Sequence, residues 1–298
     1  MRLGADVVLN GELLRREEAR VSVDDPGFLV GDGVFETLRL YDGVPFLLEE
    51  HLHRLGGSLR QAAIEIPAGD GELSRRLAAE IQLLVQANQL HSGSGRLRIT
   101  ITRGTGTPPE PTVVVTADPW EPPDAAAYVH GVEVETSQHA RGVHPWQHVK
   151  STSYAPYLRL RREASAPGIF EILVWNDRGR LAEGSFTNVF VVDAEGMLRT
   201  PHAADGCLEG VTRAAVLRLA AAAGIECREG DVTHACVAGA REMFLTGSLI
   251  ELMPVRRLDG HAVGESCPGP MTQALHSAYR ACVASREGGS NPHPPRSA

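Results

Sequence analysis

Apolar positions recur along this chain with two periods, which divide it into strand-like and helix-like stretches. Val7-Val8-Leu9 runs into Asn10-Gly11-Glu12, an Asn-Gly hairpin signal. Residues 34–41 are β-branched and aromatic and stop at Asp42-Gly43, which predicts a strand and a turn. From 48 to 64 the spacing becomes helical, with Leu48, Leu52, Leu55, Leu59 and Ala62 on one face. A second helix is predicted over 71–90, and strands over 97–102 and 112–116. Pro119, Pro122 and Pro123 then interrupt any regular element. Residues 119–130 accordingly read as a linker between an N-terminal domain (1–118) and a C-terminal domain (131–285). The second half alternates again. Strands are predicted over 131–135, 170–175, 188–192 and 243–246, and helices over 210–223 (stopping at Gly224) and 270–283. The remainder, 286–298, is rich in Pro, Ser and Gly and is expected to be disordered.

Composition narrows the class. A chain of 298 residues, 43% hydrophobic and 22% charged, matches a soluble globular protein with a sizeable core. The net charge of −8 argues against nucleic-acid or anionic-membrane partners. Five scattered cysteines without a Cys-x-x-Cys pair support neither a zinc module nor a redox dithiol, and point to a reducing cytoplasm. No signal-peptide pattern and no membrane-length apolar run is read. His51 and His53, at i and i+2, do not share a helical face; His139, His144 and His148 fall in an expected loop. No metal is assigned.

Two positions carry the candidate chemistry. Lys150 is followed 33 residues later by Glu183 (183 − 150 = 33), in the run Glu183-Gly184-Ser185-x-x-Asn188-Val189-Phe190. Taken alone, Lys150 reads as a surface lysine and Glu183 as a solvated hairpin carboxylate. Together they supply what pyridoxal 5′-phosphate needs: an amine for its aldehyde and an acid partner for its pyridine nitrogen. Gly210-Val211-Thr212 opens an amphipathic helix whose N-terminus suits a phosphate. Thr246-Gly247-Ser248 offers further donors, and Arg54 a cation, although Arg54 could equally be a solvated helix arginine.

These motifs resemble those of the class IV aminotransferases, fold-type IV pyridoxal phosphate enzymes. The resemblance rests on Glu183-x-Ser185-x-x-Asn188-Val189-Phe190, Leu198-x-Thr200 and Leu208-x-Gly210-Val211-x-Arg213. It also rests on the run from Gly31 through Arg39 and on His51-x-x-Arg54-Leu55. It implies an α+β fold of two domains, an N-terminal α/β sandwich and a C-terminal pseudo-barrel, assembled as a homodimer. It implies Lys150 as the Schiff-base lysine, with Glu183, Arg54, Tyr154, Leu208, Val211, Thr212 and Ser248 around the cofactor. Substrate-facing positions correspond to Phe35, Thr37, Arg39, Arg98, Gly247 and Leu249.

Subfamily signals diverge. Phe35, Arg39, Arg98 and Gly247-Ser248 resemble branched-chain aminotransferases, but Val30 replaces their tyrosine and Arg96-Leu97-Arg98 their Tyr-x-Arg. The stretch through Thr37 resembles aminodeoxychorismate lyases, whose asparagine is Gly247 here. D-amino-acid aminotransferases share Thr102-Arg103-Gly104-Thr105, but their Arg-x-His clamp is Pro108-Pro109-Glu110. The leading expectation is a transaminase moving an amino group between an amino acid or amine and a 2-oxo acid, with Arg98 and Arg39 available to a carboxylate. A 4-amino-4-deoxychorismate lyase is the alternative; a D-amino-acid or (R)-amine transaminase and a non-catalytic scaffold remain open.

Overall fold

The computed structural model describes residues 3–67, 69–142 and 148–285. The tail 286–298 and His144 lie outside them. The first half comprises β1 (Asp6–Leu9), β2 (Glu12–Arg15), α1 (Pro26–Val30), β3 (Gly33–Tyr41), β4 (Val44–Pro45), α2 (Leu48–Gln61), α3 (Gly69–Ala87), β5 (Ser94–Gly106) and β6 (Pro109–Pro119). After it come α4 (Ala125–His130), β7 (Val132–Thr136), α5 (Ala155–Arg162), β8 (Glu171–Trp175), β9 (Leu181–Gly184), β10 (Asn188–Val192) and β11 (Leu198–Thr200). The last elements are α6 (Val211–Ala222), β12 (Cys227–Glu229), α7 (His234–Ala238), β13 (Glu242–Gly247), β14 (Glu251–Leu258), β15 (His261–Ala262) and α8 (Pro270–Ala284).

The first six strands form an antiparallel sheet in the order β2-β1-β6-β5-β3-β4. Its two faces follow the pleat. Leu97, Ile99 and Ile101 point into a core with Leu55 and Leu59 of α2 and Leu77 and Ile81 of α3. The alternate residues Arg96, Arg98 and Thr100 point the other way, and register places Thr37 opposite Arg98 and Arg39 opposite Arg96. The sheet therefore carries a polar, arginine-bearing face away from its own core.

The second sheet runs β12-β11-β10-β13-β14-β7-β8-β9, with β15 against β14. It mixes antiparallel pairs with the parallel pairs β11·β12, β14·β7 and β7·β8. One core includes Val134, Leu173, Val189 and Val255. Another gathers Phe190, Phe244, Val216, Leu275 and Tyr279 together with Phe46 and Leu47 from the first half. The two halves thus share apolar packing behind the cleft that separates them.

The proline-rich run interrupts the elements as expected, but residues 125–130 of the expected linker are helical. Asp124 caps α4 by accepting the N–H of Ala126, and Ala125-Ala126-Ala127 favours helix strongly. The hairpin at Asn10-Gly11 and the helix stop at Gly224 form as predicted. Among the described residues no helix is long and apolar enough to cross a membrane. Leu77 is fully enclosed. Leu77→Ala is expected to lower unfolding stability by about 2–5 kcal/mol, read as a lower denaturant midpoint at unchanged slope.

Candidate active site

Between the two sheets lies a cavity of about 1700 Å³, lined from the first half by Phe35, Thr37, Arg96 and Arg98 and from the second by Lys150, Glu183 and Thr212. The segment carrying Lys150 is tied to the first sheet through its backbone. The Phe35 N–H donates to the Lys150 carbonyl at 2.9 Å, the Thr152 N–H to the Gly33 carbonyl at 2.9 Å, and the Thr152 hydroxyl to the Gly31 carbonyl at 2.7 Å. Gly31 has φ 73°, and a Cβ there would lie 2.7 Å from the Ser153 hydroxyl, so two separate constraints require glycine.

The Lys150 ammonium lies 4.7 Å from the centre of the Phe35 ring. Burial, reinforced by the Arg54 charge, lowers its pKa to about 8. Glu183 on β9 is buried. Its Oε1 accepts from Arg141 Nη1 at 3.1 Å and its Oε2 from the Leu208 N–H at 2.8 Å. Burial raises its pKa against the pull of Arg141. Arg141 also donates to the Tyr157 hydroxyl at 2.6 Å. The Tyr154 ring stacks on Tyr157 and meets Phe35 edge-on, and its hydroxyl donates to the Ser185 carbonyl at 3.1 Å. Burial and the Glu183 charge keep that phenol protonated.

At the other end of the cavity α6 begins at Gly210, with no side-chain cap. Its first N–H groups at Val211 and Thr212 are therefore available to an anion. A Cβ on Gly210 would lie 1.9 Å from Asn188 Oδ1, so glycine permits this close turn. Asn188 fixes the approach by donating to the Leu208 carbonyl at 2.8 Å. Arg54 reaches the same end: its Nη1 donates to the Glu209 carbonyl at 3.1 Å, while Nε and Nη2 grip Glu36 at 2.7 Å each. Arg54 is thus held by a buried carboxylate rather than by water.

Amine, acid and anion cradle line one cavity, an arrangement with room for a flat phosphorylated ring. The family description Amino-transferase class IV matches residues 33–258. The chain belongs to that family. It is 30% identical to a D-alanine aminotransferase of Bacillus licheniformis over 94% of this chain and 97% of that one. It is also similar to a solved branched-chain amino acid aminotransferase of the organism abbreviated T.th., in complex with pyridoxamine 5′-phosphate (29% identity, TM-score 0.84, 96% of each chain). A third likeness is to the 4-amino-4-deoxychorismate lyase of Pseudomonas aeruginosa, at 30% identity and TM-score 0.79 over 92% of this chain and 98% of that one. Class IV aminotransferases are pyridoxal phosphate enzymes of fold type IV, and this architecture is shared here. Three reaction specificities at nearly equal similarity leave the substrate to the cavity wall.

Of the positions named from sequence, Lys150, Glu183, Arg54, Tyr154, Leu208, Val211, Thr212, Ser248, Phe35, Thr37, Arg98, Gly247 and Leu249 all line the cavity. Arg39 does not. Its Nη1 donates to Glu251 at 2.9 Å and its Nε to the Ser94 hydroxyl at 2.9 Å, in a buried pair between the halves. The structure therefore does not bring Arg39 to the cavity wall with the other named positions. Sequence reasoning also missed Arg141, Tyr157 and Glu171. Buried Glu171 accepts the N–H groups of Ile172, Ser185 and Phe186 at 2.8, 3.1 and 3.0 Å, the Thr187 hydroxyl at 3.0 Å and the Ser185 hydroxyl. It is the reason a Gly-Ser-x-Thr turn follows Glu183.

Glu171→Ala strands several buried donors and is expected to cost about 3 kcal/mol or more, measured by chemical denaturation. Only the neutral form of an amine attacks an aldehyde. Capture of the pyridoxal phosphate aldehyde by the apoprotein should therefore quicken with pH and level off above about 8. Stopped-flow absorbance checks this; a midpoint near the ordinary 10.5 would mean that Lys150 is solvated.

Proposed function

We propose that this class IV enzyme is a transaminase passing an amino group between an amino acid or amine and a 2-oxo acid, with a carboxylate of the substrate bound at Arg98. Bound pyridoxal phosphate supplies an aldehyde and an electron-withdrawing ring that stabilises charge at the substrate Cα. Lys150 would hold that aldehyde and, once displaced, its Nζ would take the Cα proton and return it. Glu183, supported by Arg141, would keep a proton on the ring nitrogen. Arg54, the Val211 and Thr212 N–H groups and the Ser248 hydroxyl would hold the phosphate. Tyr154 would turn its hydroxyl proton from the Ser185 carbonyl to the ring's phenolic oxygen, and Leu208 would pack against the ring.

The observation that carries the substrate reading is Arg98. Its Nε donates to the Thr100 hydroxyl at 3.1 Å, and its guanidinium lies 3.9 Å from the Phe35 ring centre. Among the described residues no carboxylate pairs with it, whereas Arg39 has Glu251 and Arg96 has Asp118. A half-buried guanidinium without a counter-ion favours an anionic ligand. Beside it the Nε of Arg96 and the indole N–H of Trp120 are buried without acceptors, which supports a further acceptor group on the substrate. The lyase is the second reading, favoured by Thr37, which stands opposite Arg98 and lines the cavity.

A homodimer accounts for the exposed apolar run at the cavity mouth. Phe28, Leu29 and Val30 are 70%, 62% and 73% exposed, and Val30 lines the cavity itself. A second copy covering this run would narrow a cleft larger than a cofactor and a small substrate need. A cytoplasmic location belongs to the same reading, supported by five cysteines that all stay free of disulfides.

A donor–acceptor panel read by absorbance tests the reaction. Conversion to the pyridoxamine form with an amino acid or amine is expected; pyruvate release from aminodeoxychorismate without an acceptor would select the lyase. Arg98→Leu should raise KM for the 2-oxo acid roughly 30-fold, about 2 kcal/mol of charge-assisted binding. Unchanged KM would place the carboxylate elsewhere. Phe28→Asp with Leu29→Asp should shift sedimentation from dimer to monomer and lower turnover.

A further inference from the structure

Glu36 on β3, His51 on α2 and Ser248 after β13 form an unbroken hydrogen-bonded line from the core of the first half to the cavity wall. His51 Nδ1 lies 2.7 Å from Glu36 Oε2, and His51 Nε2 lies 3.3 Å from the Ser248 hydroxyl. Glu36 is fully enclosed and His51 is 2% exposed, so neither exchanges freely with water. We propose that this line is a proton relay: binding of a phosphate group at Ser248 draws one proton onto His51 Nε2. The inference rests on the placement of the cofactor phosphate beside Arg54, Ser248 and the start of α6.

Glu36 is the fixed end. Burial opposes its ionisation, but the bidentate Arg54 guanidinium and His51 hold its pKa well below the usual carboxylate range. An ionised carboxylate only accepts, so the proton between Glu36 and His51 sits on Nδ1. In the neutral imidazole Nε2 is then an acceptor, and the Ser248 O–H donates to it. Burial favours this neutral form and lowers the His51 pKa against the pull of Glu36. Ser248 consequently turns oxygen lone pairs, not its proton, toward the cavity.

A phosphate dianion needs the opposite. If the Ser248 proton rotated toward phosphate with His51 still neutral, Nε2 would be left buried without a donor, which is costly. If Nε2 takes a proton, it donates to the Ser248 oxygen and the Ser248 proton is free to point at phosphate. Every donor and acceptor is then satisfied, and the imidazolium lies between two anions. The charged groups facing His51 fit this switch. Glu36 from β3 favours the imidazolium, whereas Arg54 on its own helix and Lys150 before α5 disfavour it. A bound phosphate would offset the two cations. His51 acts through Ser248 and is a positioning residue; it touches neither substrate nor reacting atoms.

The probe is pyridoxine 5′-phosphate, which has the phosphate and ring but no aldehyde for Lys150, added to apoprotein. Calorimetry in buffers of different ionisation enthalpy near neutral pH should find about one more proton taken up by the wild type than by His51→Gln. The phosphate's own titration, with a second pKa near ~6, is common to both proteins and cancels in the difference. Affinity should weaken by about tenfold per pH unit between the empty-site and loaded-site His51 pKa, and this dependence should vanish in the variant. Ser248→Ala keeps His51 and breaks the line, so it should lose the extra proton too, which keeps the test open should His51→Gln fail to fold. Nitrogen-15 spectra of His51 should move from the Nδ1–H tautomer to imidazolium on loading. Equal proton uptake in all three proteins, or a loaded His51 that stays neutral, overturns the relay and leaves the transaminase reading intact. Failure of the probe to bind the wild type overturns the phosphate placement along with the relay.

Discussion

The hydrogen bond from the Phe35 N–H to the Lys150 carbonyl joins the two halves of this molecule at the point where their chemistry meets. Lys150 belongs by sequence to the second half, yet its backbone is an added rung on β3, reinforced by Thr152 bonding to Gly33 and Gly31. The tether leaves the amine little choice but the cleft, where burial and Arg54 depress its proton affinity. The same strand presents Phe35 beside the amine and Glu36 on its opposite face to orient Arg54. One strand therefore supplies the site from both faces of its pleat.

Much of this was legible from sequence because the decisive residues sit in short local motifs. The helix starting at Gly210 and the hairpin before Glu183 are dictated by nearby turn chemistry, and periodicity located α2, α3, β5 and β6 within a few residues. What escaped depended on contacts between distant segments. Arg141 meets Glu183 across 42 positions and Glu171 reaches the turn at Ser185–Thr187 from β8, the strand paired with β9. No spacing rule relates Arg39 to Glu251, 212 positions away, and only the folded pairing shows that this arginine is already occupied. The helix at 125–130 was hidden because prolines directly before it drew the reading toward an irregular segment.

Charge compensation separates the three arginines on the polar face of β3 and β5. Arg39 and Arg96 each have a carboxylate of their own chain, and Arg98 has an aromatic ring and a hydroxyl. Counting arginines on that face would suggest a broadly basic wall. Among the described residues the pairing leaves Arg98 as the one of the three without a carboxylate, a narrower demand on any ligand.

The buried Arg39–Glu251 pair has a consequence for motion. Glu251 also accepts from Tyr41 at 2.9 Å and lies 2.9 Å from His276 on α8, so a single carboxylate binds two residues of β3 to the C-terminal helix. Swinging one half against the other would pull an ion pair apart in a poorly hydrated place, a cost of several kcal/mol. The pair therefore resists relative movement of the two halves at this point.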